Sequence, residues 1–143
     1  MKRILFLCTG NSCRSQMAEA WARHLKGDQL EPYSAGVKTR GVDPRAIKAM
    51  AEAEIDITAQ VSKRIDALGN LEFDYVITLC DNAHEACPFF PAKTRVLHVG
   101  FDDPPTIAAG ARTEEEAMMP YRRVRDEIRK FVETLPDALE EEQ

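Results

Sequence analysis

The start of the chain predicts a buried strand that runs into a helix through a loop of small and polar residues. Residues 4–7 form an apolar run typical of a buried strand, and residues 16–25 have the apolar spacing of a helix. Between them lies the sequence C-T-G-N-S-C-R-S, residues 8–15. This segment, which we call the 8–15 loop, is therefore predicted to be a strand-to-helix turn.

The 8–15 loop has the features of an oxyanion site with a nucleophile in its floor. Arg14 can offer two parallel donors to a tetrahedral oxyanion. Backbone N–H groups and the helix dipole add positive potential, which also favours the nucleophilic thiolate form of Cys8. The alternative is a chance C-x5-R pattern with a packed Cys8, and the small residues of the turn argue against it. The oxyanion-binding candidates are Thr9, Gly10, Asn11, Ser12, Cys13 and Arg14. We interpret the thiol of Cys13 as a small packed group.

Strands and helices alternate along the rest of the chain, which predicts a single α/β domain over residues 1–143. Further strands are predicted at 30–36, an edge strand, and at 75–79 and 94–99. Helices are predicted at 44–54, capped by Asp43, and at 113–135, with a helical turn at 65–68. Pro120 is expected to break the last helix or mark its start, and the tail from Pro136 to fray. The pattern predicts a four-stranded parallel sheet flanked by helices on both faces, with a ligand beyond the carboxyl ends of the strands.

Composition and charge exclude several classes of partner. A net charge of -5 argues against a nucleic-acid-binding surface. The apolar stretches are too short to span a membrane, and the first three residues lead into a strand rather than a secretory segment. We therefore expect a cytoplasmic monomer that binds neither nucleic acid nor membrane.

An acid should lie near the loop, because an oxygen expelled from an oxyanion leaves well only when it is protonated. The segment G-F-D-D-P, residues 100–104, follows the last predicted strand. Asp103 is the candidate acid, since Pro104 stiffens the loop that holds it. Asp102 can take the role instead, and the alternative for both is a loop or helix-cap cluster.

Two further cysteines lie in the middle of the chain, and without a signal peptide cysteines are more typical of catalysis or metal binding than of structural disulfides. Cys87 follows Cys80 by seven residues, a helical rise of about 10 Å, whereas disulfides need Cα atoms within about 7 Å. The two can pair only if the segment unwinds. Parallel strands lie about 4.8 Å apart, so Cys80 can approach Cys8 if their strands are adjacent. The pattern predicts a relay from Cys8 to Cys80 to Cys87. The alternative is a zinc site on Cys80, His84 and Cys87, but the usual close pair of cysteines and a fourth ligand are missing.

Several motifs together resemble the thioredoxin-coupled arsenate reductases over nearly the whole chain. They are C-T-G-N-S-C-R-S, Y-S-A-G at 33–36, T-L-C at 78–80, C-P at 87–88 and G-F-D-D-P at 100–104. Phosphatases that share the low-molecular-weight tyrosine phosphatase fold have the loop and the Asp-Pro acid but lack the cysteine pair. The resemblance implies that fold, with Cys8 as the nucleophile, Arg14 as the anion-binding residue and Ser15 as the residue that helps to hold the thiolate. It implies that Asp103 is the acid and that Cys80 and Cys87 are the second and third redox cysteines. It also implies that Asn11 organises the loop and that Ser34 is its hydrogen-bonding neighbour.

The resemblance also implies a reaction. Cys8 attacks arsenate, Asp103 protonates the departing oxygen, Cys80 attacks the sulfur of the Cys8–arsenic adduct to release arsenite, and Cys87 resolves the Cys8–Cys80 disulfide. Thioredoxin then reduces the Cys80–Cys87 disulfide. No cofactor and no catalytic metal are implied, and phosphate and sulfate are expected to compete with arsenate. Some members bind potassium near the loop asparagine, but this chain has Val61 and Lys63 where they have ligands.

Two other functions compete with arsenate reduction. The first is a low-molecular-weight protein tyrosine phosphatase or a small phosphate-ester phosphatase, which uses the same loop and acid. Such phosphatases carry aromatic residues just after the Asp-Pro pair, whereas Pro105, Thr106 and Ile107 follow here. A hydrolase also has no need of Cys80 and Cys87. The second is a redox-sensing protein that binds an oxyanion without turnover, which leaves Asp103 unexplained.

Overall fold

A four-stranded parallel sheet forms the centre of the computed structural model, which describes residues 1–80 and 90–140. The elements in chain order are β1 (Lys2–Cys8), α1 (Arg14–Lys26), β2 (Leu30–Gly36), α2 (Pro44–Glu52), a 3-10 helix (Ile65–Leu68), β3 (Tyr75–Thr78), β4 (Arg95–His98), α3 (Pro104–Ala108), α4 (Glu114–Glu133) and α5 (Asp137–Glu140).

The strand order is β2-β1-β3-β4, so β1 and β3 are neighbours in the interior of the sheet. Residues 4–7 of β1 are fully buried. Because successive side chains of a strand point to opposite faces, both faces of β1 are covered. The sheet expected from the sequence is confirmed, including the edge position of β2.

Helix α4 is the element on which α1, α2 and α3 all pack. Its buried side chains include Val124, Ile128 and Val132, spaced by four residues along one face. The expectation that Pro120 breaks or starts this helix is wrong, because α4 is continuous from Glu114 to Glu133. Pro120 has no backbone N–H and cannot donate the usual helical hydrogen bond. Pro120 is itself buried, and the packing of this face stabilises the helix despite the missing hydrogen bond.

The sequence predicts fraying from Pro136, but the described residues after it, 137–140, are helical. Residues 137–140 form α5, and Leu139 is buried in the core. The Arg95 side chain donates to the Leu139 carbonyl, which ties α5 to the edge strand β4. Among the helices of the described ranges, none combines the length and apolar character needed to cross a membrane.

A partly buried hydrogen bond joins α2 to α4 beside the carboxyl ends of the strands. Asp43 caps α2 by accepting from the Arg45 backbone N–H at 2.9 Å, as its sequence position predicts. The Tyr121 hydroxyl donates to the other oxygen of the same carboxylate. Burial and this carboxylate both raise the pKa of Tyr121, so the hydroxyl remains a donor over the ordinary pH range.

We expect Tyr121→Phe to lower the free energy of unfolding by about 1–3 kcal/mol, because the Asp43 carboxylate loses a buried partner. Urea denaturation monitored by circular dichroism measures this. Tyr33→Phe is the matched control, since the half-buried Tyr33 donates to Glu31 at 3.0 Å on the edge strand β2, whereas Tyr121 is fully buried. Its cost should be about 0.5 kcal/mol or less. Equal costs for the two substitutions would contradict this account of Tyr121.

Candidate active site

The 8–15 loop lies at the carboxyl end of β1, between the ends of β2 and β3. Cys8 pairs with Gly36, and Leu7 pairs with Thr78. Asn11 adopts a left-handed backbone conformation with φ of 48°, which reverses the loop. A Cβ on Gly36 would lie 2.7 Å from the Asn11 nitrogen, so glycine is required where β2 ends against the loop.

The Asn11 side chain fixes the loop from behind. The Lys63 backbone N–H donates to Asn11 Oδ1 at 2.8 Å, and Gln16 Nε2 donates to the same oxygen at 2.9 Å. A backbone N–H can only donate, so Oδ1 is the acceptor and Nδ2 must be the donor. Asn11 Nδ2 therefore donates to Ser15 Oγ at 2.8 Å.

This orientation directs the Ser15 hydroxyl toward Cys8. Ser15 Oγ already accepts from Asn11, and Cys8 Sγ lies 2.9 Å away. The hydroxyl hydrogen is thus available to donate to the sulfur. Such a donor stabilises the thiolate relative to the thiol.

Arg14 presents an unused buried donor at the site. Its Nη1 donates to the Phe101 carbonyl at 2.9 Å, and its Nη2 lies 3.3 Å from Asp103 Oδ1. Arg14 Nε is buried and has no hydrogen-bond partner among the described residues. Buried donors are rarely left unpaired, and an oxyanion at this position would satisfy it.

Cys8, Arg14 and Asp103 line a cavity of about 410 Å³. Of the loop residues expected to bind an oxyanion, Asn11 does not line the cavity, because its side chain is buried behind the loop. Burial, reinforced by the Asp43 carboxylate, raises the pKa of the Cys13 thiol well above its usual range, which fits a packed thiol. The lining residues from the loop are Cys8, Thr9, Gly10, Ser12, Cys13 and Arg14.

Of the two neighbouring aspartates, Asp103 lines the cavity and Asp102 does not. Asp103 directly precedes α3, and its carboxylate accepts from Thr106 Oγ1 at 2.7 Å and faces Arg14. Asp102 points to solvent and pairs with Arg123 at 3.0 Å. The geometry therefore favours Asp103 as the candidate acid.

Cys80 lies beside the 8–15 loop because β3 is the neighbour of β1. Cys80 is buried, and its Sγ is 3.0 Å from the hydroxyl of Thr9, the residue that follows Cys8 in the chain. Adjacency of the two strands, the condition for Cys80 to approach Cys8, is met. Cys87 and His84, which the relay and the zinc alternative require, lie outside the described residues. Within the described ranges, no group of three or more metal-ligating side chains is present.

Some side chains near the loop differ from their expected roles. Ser34 donates to Glu19 Oε1 at 2.5 Å rather than bonding to Asn11. Lys63 places its ammonium group 3.9 Å from the same Glu19 oxygen, where it partly neutralises this buried carboxylate.

The cavity is also lined by Lys38 and Arg40, which the sequence does not single out because they follow a strand without a recognisable motif.

Comparison with known proteins gives a consistent result over the whole chain. The profile of the family described as low molecular weight phosphotyrosine protein phosphatase matches residues 3–143. An arsenate reductase of Halalkalibacterium halodurans is 48% identical over 137 residues, 96% of each chain. A solved arsenate reductase in its oxidized state superposes with a TM-score of 0.79 at 29% identity, over 97% of this chain and 99% of that one. Another, in a phosphate-binding state, gives a TM-score of 0.75 at 31% identity, over 94% and 96%.

We expect Ser15→Ala to slow alkylation of Cys8 by iodoacetamide at neutral pH by about tenfold or more, because a hydrogen bond to a charged group contributes about 1.5–3 kcal/mol. Mass spectrometry of the peptide containing Cys8 measures the rate. Ser62→Ala is the control, since the Ser62 hydroxyl donates to the Gly10 carbonyl at 3.0 Å and does not contact the sulfur. If both variants react as slowly as each other, the effect comes from loop disorder and not from the Ser15 hydroxyl.

Proposed function

The chain belongs to the low molecular weight phosphotyrosine protein phosphatase family, and we propose that it is an arsenate reductase that uses a three-cysteine relay. The observation that carries the proposal is the position of Cys80. A second thiol packed 3.0 Å from the Thr9 hydroxyl, beside a loop that offers a nucleophile and oxyanion donors, suits a redox reaction. Hydrolysis of a phosphate ester needs only the loop and the acid.

In the first step Cys8 attacks arsenate held by the loop. A bond forms between sulfur and arsenic(V), an arsenic–oxygen bond breaks, and the leaving oxygen takes a proton from Asp103 to depart as water. Arg14 donates to the remaining oxygens, with its buried Nε among the available donors. Ser15 stabilises the thiolate before attack, since its hydroxyl lies 2.9 Å from Cys8 Sγ.

In the second step Cys80 attacks the sulfur of the Cys8–arsenic adduct. A sulfur–sulfur bond forms, the sulfur–arsenic bond breaks, and its electron pair reduces arsenic(V) to arsenic(III), which leaves as arsenite. The Thr9 hydroxyl, 3.0 Å from Cys80 Sγ, can donate to the attacking thiolate. Cys87 then attacks Cys80 in the Cys8–Cys80 disulfide, which frees Cys8. Thioredoxin reduces the resulting Cys80–Cys87 disulfide.

The residues after Asp103 also argue against a protein tyrosine phosphatase. Pro105 lines the cavity, and Thr106 turns back to bond with Asp103. Neither offers the aromatic face that would hold a tyrosyl ring. A free inorganic oxyanion fits this wall of the cavity better than a phosphotyrosine side chain.

The central test measures arsenite formed from arsenate by the purified chain with thioredoxin, thioredoxin reductase and NADPH. We expect one NADPH to be oxidised per arsenite formed, and Cys8→Ser to form none. Hydrolysis of p-nitrophenyl phosphate is measured in parallel. Efficient hydrolysis with no arsenite would show that the chain is a phosphatase.

Replacement of the acid should slow the first chemical step. We expect Asp103→Asn to reduce the rate of arsenite formation by about 10² to 10⁴, the range for loss of a general acid. Asp102→Asn is the matched control, because Asp102 is exposed and paired with Arg123. Rapid-quench measurement of single-turnover arsenite formation separates this step from disulfide reduction. A larger effect at Asp102 would move the acid role to that residue.

Cys87→Ser should allow a single turnover only. We expect about one arsenite per chain, followed by no further product, because Cys80 still closes on Cys8 and no thiol then resolves that disulfide. Mass spectrometry should find Cys8 and Cys80 linked after the burst. Cys13→Ser is the control and should turn over repeatedly. Sustained turnover by Cys87→Ser with thioredoxin would contradict the relay.

A further inference from the structure

Two basic side chains, Lys38 and Arg40, border the cavity outside the 8–15 loop. The reaction proposed above does not use them. Both lie in the stretch between β2 and α2, and both are exposed. We refer to this pair as the basic lip.

Backbone hydrogen bonds hold the basic lip against the loop. The Lys38 N–H donates to the Thr9 carbonyl and the Arg40 N–H donates to the Gly10 carbonyl, each at 3.1 Å. The absence of a side chain at Gly10 gives Arg40 its place, because a Cβ there would lie 2.7 Å from Arg40 Cδ. The backbone at both residues therefore keeps a fixed position relative to the loop, which holds the two side chains at the edge of the cavity.

The other charged groups that line the cavity are Arg14, Asp103 and Asp43. Arg14 faces Asp103 at 3.3 Å, whereas the Asp43 carboxylate accepts from two neutral donors, the Arg45 backbone N–H and the Tyr121 hydroxyl, and keeps its negative charge. Within the described part of the chain, no carboxylate lies in salt-bridge distance of either lip residue. The lip thus makes the charged lining of the cavity net positive, with three cations (Arg14, Lys38 and Arg40) against two carboxylates, on a chain whose net charge is -5.

We propose that Lys38 and Arg40 capture doubly charged tetrahedral oxyanions and so determine kcat/KM for arsenate, an inference that rests on the proposed function. An acidic protein repels such anions at long range, and a local basic patch reverses the sign of the field at the site. Fields of this kind raise association rates by about 10 to 10³. Their range is set by salt, since the Debye length is about 10 Å at 0.1 M ionic strength.

The first test uses the double variant Lys38→Met/Arg40→Met. At low ionic strength we expect kcat/KM for arsenate to fall by about tenfold or more, in line with the range for electrostatic steering. Added salt should lower kcat/KM of the unmodified protein steeply and that of the variant weakly. Lys38→Arg/Arg40→Lys, which keeps both charges, should retain the parent value and its salt dependence. Lys48→Met, which removes an exposed lysine from α2, is the control. A double variant with the parent kcat/KM and salt dependence would overturn the proposal.

The second test does not depend on arsenate reduction. Cys8 is alkylated with iodoacetate, which is an anion, and with iodoacetamide, which is neutral, and the two rates are compared by mass spectrometry. The ratio of the iodoacetate rate to the iodoacetamide rate should fall severalfold in the double variant and stay constant in Lys48→Met. An unchanged ratio would refute the basic lip even if the chain reduces arsenate, and a fall would support it even if the chain does not.

Discussion

The buried amide of Asn11 is the interaction on which the shape of the site depends. Its oxygen accepts from Lys63 and Gln16, and its nitrogen donates to Ser15. Each partner left unsatisfied in this buried position would cost about 1–3 kcal/mol, so the network selects one loop conformation over others. A loop fixed in this way presents its donors without reorganisation when charge develops on a bound oxyanion. The same network leaves the Ser15 hydroxyl directed at Cys8.

The sheet adds a second constraint, because its strand order determines which thiols are close. β1 and β3 are parallel neighbours, so the residues that follow their carboxyl ends lie side by side. Cys8 closes one strand and Cys80 follows the other, which places Cys80 against Thr9. A different strand order would separate the two cysteines by at least one strand spacing more. The proposed electron transfer thus depends on topology as much as on the loop.

The sequence was sufficient to predict the elements whose signals are local. The apolar run before Cys8, the Asp43–Pro44 helix start and the alternation of strands with helices all have direct physical counterparts in the fold. Pro120 wrongly predicts a helix break, because the packing of α4 against three other helices outweighs the low helix propensity of proline. The burial of Leu139 is not predicted, because an acidic tail gives no indication of a buried apolar residue or of the Arg95 contact to the Leu139 carbonyl.

Residues inside the 8–15 loop could be proposed for the site from the sequence, whereas those brought in by long-range contacts have no local signal. Gln16, Lys63 and Ser34 contribute through partners that no spacing rule identifies, and Ser34 bonds to Glu19 instead of Asn11. Lys38 and Arg40 follow a strand without any signature, and only the backbone pairing with Thr9 and Gly10 places them at the cavity. The choice between Asp102 and Asp103 also required the fold, since the two are adjacent in sequence and differ only in direction.

Arg14 connects oxyanion binding to the acid in the proposed reaction. Its guanidinium faces Asp103 and the Phe101 carbonyl, while its Nε has no partner among the described residues. A bound oxyanion would compete with Asp103 for the same guanidinium and would place negative charge beside the carboxylate. In the proposed reaction one guanidinium thus contacts both the oxyanion and the side chain that donates to the departing oxygen, so the position of Arg14 determines the distance between substrate and acid.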